Sequence, residues 1–193
     1  MKTAWKQLKN NRVALGGLGF SFCVAAANDN LFVVYGAWLE GRFALSVLAL
    51  GVATTVIGLA ELCGESLTAG LSDRLGLKPS LFAGLILSGL SYILLPGLAQ
   101  TLPLALLGLF ILFVGVEYTI VTSVSLFTEV MPEARATMMS GWLAAASLGR
   151  VTGALMGGLV WQLGGISAIS LTSTLISGLA LLCLIWGLRH WQR

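Results

Sequence analysis

Apolar positions in this chain neither alternate nor keep to one helical face. They run on for stretches of about 20 residues or more, and polar residues collect in the gaps. Stretches of that length, rich in Leu, Ala and Gly, are helices, because a segment crossing a bilayer must satisfy its own backbone hydrogen bonds. Six can be marked, at roughly 13–38, 44–71, 79–98, 103–128, 137–162 and 166–188, each near the ~20 residues that a bilayer core requires. The connections between them are short. The pattern therefore predicts an all-α integral membrane protein of six transmembrane helices, with residues 1–193 forming a single domain.

Composition agrees. The chain is 57% hydrophobic and 10% charged, with a mean hydropathy of +0.92, whereas a soluble domain carries about 25% charged residues. Such a surface belongs in lipid. The net charge of +3 does not point to nucleic acid, because the basic residues sit at segment ends, where they speak to topology. Lys2, Lys6, Lys9 and Arg12 precede the first segment, Arg74 and Lys78 follow the second, Arg135 follows the fourth, and Arg189 and Arg193 follow the sixth. The alternate loops carry only Arg42. The positive-inside bias places both termini in the cytoplasm, with the cell membrane as the expected location. Trp5 and Leu8 oppose Lys2, Lys6 and Lys9, so the first residues are expected to lie along the inner interface. Trp38, Trp161, Trp186 and Trp191 fall near segment ends, as interfacial anchors do. Ala25-Ala26-Ala27 resembles a signal-peptidase site, but the apolar run resumes at Leu31 and continues to Leu39, so this stretch reads as a retained span.

The break at Ala69-Gly70-Leu71-Ser72-Asp73-Arg74-Leu75-Gly76-Leu77-Lys78 is densely charged and lies between two long apolar runs. It reads as a tight loop, with Gly76 supplying the turn and Pro79 opening the next helix. It resembles the G-x-x-x-D-R-x-G-x-R/K string between the second and third helices of each half of a major facilitator superfamily transporter. Asp73, Arg74, Gly76 and Lys78 match; Ala69 replaces the first glycine and Leu77 a common basic residue. Six segments with both ends on one side then resemble one half of the twelve-helix fold of that family.

A second string, Gly149-Arg150-Val151-Thr152-Gly153-Ala154-Leu155-Met156-Gly157-Gly158, resembles G-x-x-x-G-P-x-x-G-G on the fifth helix of antiporter members, with Ala154 in place of proline. Gly149, Gly153 and Gly157 recur every four residues, a spacing that lets another helix approach closely. The missing proline, and the absence of an arginine early on the fourth helix, resemble the C-terminal half. Glu129-Val130-Met131-Pro132-Glu133-Ala134-Arg135 resembles the family's Glu and Arg flanking a Pro, which implies a charge cluster of Asp73, Arg74, Glu129 and Arg135 that holds the outward-facing state.

Five charged residues fall inside spans, where each costs about 2.5–3.5 kcal/mol at mid-bilayer on insertion scales. They are Asp29, Glu61, Glu65, Glu117 and Arg150. Asp29 is framed by Asn28 and Asn30. Glu61 and Glu65 are four apart on one face, where like charges disfavour joint ionisation. Glu117 and Arg150 both lie near the middle of their spans and are placed to neutralise each other. The resemblance implies that Asp29 and Glu117 are substrate or proton sites and that Glu61, Glu65 and Arg150 lie near the seam between two halves. The surplus of acids implies a cationic or neutral substrate. Tyr35, Tyr92, Tyr118, Phe32 and Trp142 read as packing residues or as cavity lining.

Chemistry of other kinds is poorly served. The single histidine, His190, lies beyond the last span, and Cys23, Cys63 and Cys183 sit inside apolar runs at no metal or redox spacing, so no metal, cofactor or enzyme activity is expected. The resemblance implies alternating-access transport of a small solute, coupled to protons and favouring efflux. The partners expected are the substrate, protons, the lipid bilayer, and either a second copy of the chain or a second six-helix half, with this chain being half of a dimer or a piece of a twelve-helix transporter. The alternative is an accessory or structural membrane protein whose buried acids stabilise a partner.

Overall fold

The computed structural model describes residues 2–189 and Trp191, and for Lys2, Thr3 and Asp73 the backbone alone. His190 and Arg193 lie outside the described residues. The elements are α1 (Lys2–Asn10), α2 (Arg12–Phe32), α3 (Tyr35–Phe43), α4 (Val47–Leu67), a π-helical turn (Thr68–Ser72), α5 (Asp73–Leu75), α6 (Leu77–Leu98), α7 (Leu102–Val130), a 3-10 turn (Pro132–Ala134) and α8 (Arg135–Leu188). No strand occurs among the described residues.

Local chemistry sets several boundaries. The Asn11 side chain accepts from the backbone N–H groups of Val13 at 2.9 Å and Ala14 at 3.2 Å, which caps α2. Ser46 accepts from Ala49 at 3.2 Å and opens α4. Between α5 and α6, Gly76 holds φ at +88°, a conformation that a side chain would strain.

Five stretches are long and apolar enough to cross a membrane: Arg12–Phe43, Val47–Ser72, Leu77–Leu98, Leu102–Val130 and Pro132–Leu188. The difference from the six expected segments lies at the end of the chain. The expected fifth and sixth spans join with no loop between them, through Gly164 and Gly165, whose backbone leaves the helix (φ 56°, ψ −144° at Gly165). An unbroken helix of that length would extend about 80 Å, against a bilayer core of about 30 Å. Contacts with α2 show that it doubles back. Along α2, Leu18, Phe22, Ala26 and Asn30 meet Gly141, Gly149, Gly153 and Gly157 in parallel order. Gly16, Gly19, Ala27 and Asn30 meet Gly187, Cys183, Ser173 and Ile169 in reverse order.

α2 thus lies between the two arms of α8, and this is the largest interface of the molecule. Buried hydrogen bonds tie it in. Asn30 Nδ2 donates to the Ile169 carbonyl at 3.2 Å and to Ser173 Oγ at 2.9 Å, and Ser173 Oγ donates to the Ala27 carbonyl at 2.9 Å. Two clusters form the core. One, around Trp38, Leu39, Tyr92, Leu109 and Phe113, lies toward α3; the other, around Leu8, Phe20, Leu126, Phe127, Met138 and Trp142, lies toward α1. Trp38, expected as an interfacial anchor, is buried in the first cluster because the chain bends after Phe32 and turns α3 onto the bundle. Leu8 is buried against α8 and Trp5 is exposed.

Candidate functional site

Four of the five charged residues expected inside the membrane converge on a cleft of about 320 Å³ at mid-length of the bundle. Its lining comes from four helices: Phe20, Ser21, Val24, Ala25, Asn28 and Asp29 of α2, Glu61 of α4, Glu117, Ile120 and Ser123 of α7, and Trp142, Leu143, Ala146, Ser147 and Arg150 of α8. Glu65, one turn along α4 from Glu61, is exposed and does not line it.

Arg150 Nε lies 3.3 Å from Asp29 Oδ2, the one ion pair among the described residues. The expected neutralisation of Glu117 by Arg150 is therefore corrected. The reason lies in the glycine spacing. Cβ atoms at Gly149, Gly153 and Gly157 would run into the backbone carbonyls of Phe22, Ala26 and Asn30, so these glycines let α8 settle directly on α2 and bring Arg150 to Asp29. Gly158 lies off this seam, with open space where its Cβ would be.

Glu117 is held from the other side. A Cβ on Gly64 would fall 2.8 Å from that of Glu117 and 2.9 Å from the Val114 carbonyl, so α4 and α7 touch backbone to side chain at this level. The stem of Glu117 is thereby fixed beside α4, within reach of the like charges of Glu61 and Glu65. Gly64 was not among the expected site residues. Its signal in the sequence is the helical spacing of Ala53, Ile57, Ala60 and Gly64, which are the buried residues of α4. On the facing wall the Trp142 carbonyl accepts from Ser21 Oγ at 2.9 Å, while its indole Nε1 is buried and makes no hydrogen bond. Of the other aromatic residues singled out, Tyr35 bonds Thr54 Oγ1 at 3.0 Å, and Tyr92 and Tyr118 are buried in the core.

Residues 17–192 match the sequence profile of the Major Facilitator Superfamily. The chain belongs to this family of membrane transporters. It is 29% identical over 141 residues to the uncharacterized MFS-type transporter YceJ of Bacillus subtilis (strain 168), an alignment that covers 73% of this chain and 36% of that protein. The chain thus spans little more than a third of that relative's length. No solved structure matches it. The profile together with the apolar helices makes this superfamily chain a multi-pass membrane protein.

The charged motif of this superfamily chain is spread over one end of the bundle. Arg74, Glu129 and Arg135 are exposed and make no ion pair among the described residues, and the side chain of Asp73 lies outside them. Lys78 points elsewhere: its ammonium donates to the carbonyls of Leu188 at 2.8 Å and Trp191 at 3.3 Å. Unpaired carbonyls at a helix C-terminus attract a cation, which explains why Lys78 turns to the end of α8. Beside it Arg12 stacks 4.8 Å over the Trp186 ring. The end bearing Lys6, Lys9, Arg12, Arg74, Lys78, Arg135 and Arg189 is opposite the end bearing Arg42, which donates to the Ala99 carbonyl at 3.3 Å.

Proposed function

We propose that this chain is a six-span transporter bundle that moves a small solute by alternating access, with the cleft around Asp29, Glu61, Glu117 and Arg150 as its substrate and proton site. Residues 135–163 and 166–188 are its fifth and sixth spans, and the basic end faces the cytoplasm of a cell membrane. The observation that carries this reading is the cleft itself. Three carboxylates from three helices are gathered at one cleft with one cation among them, and inside a bilayer each would be costly. Such an expense is retained where a charged solute or a proton has to be handled.

The rim supports a shared pathway. Glu61, Leu143, Ser147 and Arg150 are exposed in the chain alone, so a second bundle, either another copy of this chain or a separate half, completes the wall. Proton coupling follows from the same residues. A carboxylate held in a low-dielectric site binds a proton or a cation in turn, and exchanging one for the other drives antiport, with efflux as the favoured direction. At the basic end, Asp73, Arg74, Gly76, Lys78, Glu129 and Arg135 gate the cytoplasmic side, parting and pairing as the two bundles rock. The test is flux in proteoliposomes with an imposed proton gradient, run over a panel of cationic, neutral and anionic solutes. At least one solute should move with a coupled pH change inside the vesicles, and Asp29→Asn should abolish that coupling. Full coupled flux in Asp29→Asn would remove the site from the mechanism.

A further inference from the structure

The cleft also constrains the charge and shape of what it binds, an inference that rests on the transport reading of the same site. Its fixed charges do not balance. Asp29 is answered by Arg150, but Glu61 and Glu117 make no ion pair or hydrogen bond among the described residues. The other described basic residues sit at the two ends of the bundle, out of reach of the cleft. Positive charge for Glu61 and Glu117, a proton or a bound solute, comes from outside the described chain.

The walls say what kind of cation. No three His, Cys, Asp or Glu side chains among the described residues are gathered closely enough to hold a metal ion. Phe20, Val24, Ile120 and Leu143 present hydrocarbon instead. Trp142 is 8% exposed, lines the cleft, and leaves its indole N–H without a partner. An aromatic ring and two carboxylates lining one cleft are the groups that recognise organic ammonium ions, since ring face and carboxylate both attract positive charge. The volume of about 320 Å³ suits a small ligand with an apolar body. We propose that the cleft binds an organic cation, its charge set between Glu61 and Glu117 and its apolar body against Trp142.

The test uses the full chain in lipid nanodiscs and two probes of nearly the same shape and opposite charge, tetraphenylphosphonium and tetraphenylborate, with empty nanodiscs subtracted. Saturable binding is expected for the phosphonium and none for the borate. Glu117→Gln should weaken phosphonium binding about tenfold or more, and Trp142→Phe by about threefold. Glu129→Gln, outside the cleft, should leave it unchanged. If Glu117→Gln does not yield folded protein, Glu61→Gln at the exposed rim carries the same test. No saturable phosphonium binding by folded wild-type chain, equal binding of the borate, or an affinity indifferent to both glutamate substitutions would overturn the proposal. Flux of the same cation separates the two readings. Binding without flux keeps this inference and removes the transport reading, whereas flux of neutral or anionic solutes without cation binding does the reverse.

Discussion

Asn28, Asp29 and Asn30 are adjacent in the chain and do three different jobs. Asn30 is fully buried and joins α2 to the returning arm of α8, Asp29 turns to Arg150, and Asn28 lines the cleft. Helical geometry separates them by about 100° each, so one polar triplet serves both packing and site. The glycines divide as sharply. Gly153→Ala would press a methyl group into the Ala26 carbonyl, and forced overpacking of this kind costs about 1–3 kcal/mol. Gly158→Ala meets open space. We expect the first to lower the apparent unfolding temperature in detergent by several degrees and the second to leave it unchanged, as read by a thermal-shift assay. Equal effects would mean that the seam tolerates separation. The spacing of Gly149, Gly153 and Gly157 was legible as a close-packing signal. That the packed neighbour is α2, and hence that Arg150 finds Asp29 rather than Glu117, was not, because the two residues are far apart in the chain and only the fold brings them together.

At the scale of elements, the long apolar runs announced the helices, and the gap expected between residues 162 and 166 falls on the break in α8, whereas the bend after Phe32 went unread. Val33 and Val34 interrupt the first run without any glycine or proline to signal it. The break in α8 does carry a signal, the pair Gly164-Gly165. At Gly165 the positive φ is one that L-residues adopt only under strain, at a cost of order 1–3 kcal/mol. Gly165→Val is therefore expected to destabilise the turn between the arms, seen as faster proteolysis near residue 165 in reconstituted protein. Val in place of the more distant Gly178, which has no neighbour within 4 Å, should not do so. Protection of both variants equal to wild type would show that the reversal does not depend on this residue. The charge motif around Asp73 was legible as a turn, and Gly76 makes one. The destination of Lys78 was hidden, since it depends on where the last helix ends.

For the molecule as a whole, the two faces to watch are the exposed apolar side of α4 (Leu48, Val52, Leu59, Leu62) and that of residues 143–159 on α8 (Leu143, Leu148, Leu155, Leu159), which flank the mouth of the cleft. In lipid, apolar exposure alone gives helices no reason to associate, so these faces suit acyl chains and a second bundle equally. The proposed topology has a direct check. Single cysteines replacing Arg42 and Glu133, in a background with Cys23, Cys63 and Cys183 changed to serine, should be labelled by a membrane-impermeant maleimide from opposite sides, Arg42→Cys from outside the cell. Labelling of both from the same side would reverse the placement of the basic end.

The sandwiching of α2 between the arms of α8 has a consequence for biogenesis. The acceptors for Asn30 belong to residues 139 and 143 positions further along the chain. α2 therefore leaves the ribosome before the residues that answer its amide, and Asn30 stays unanswered until the second arm of α8 has been synthesised. Closure of the two arms of α8 around α2 is then a late step in the assembly of these helices. A nascent chain arrested before residue 169 should expose Asn30 to the insertion machinery, and premature release at that stage would feed quality control rather than the membrane.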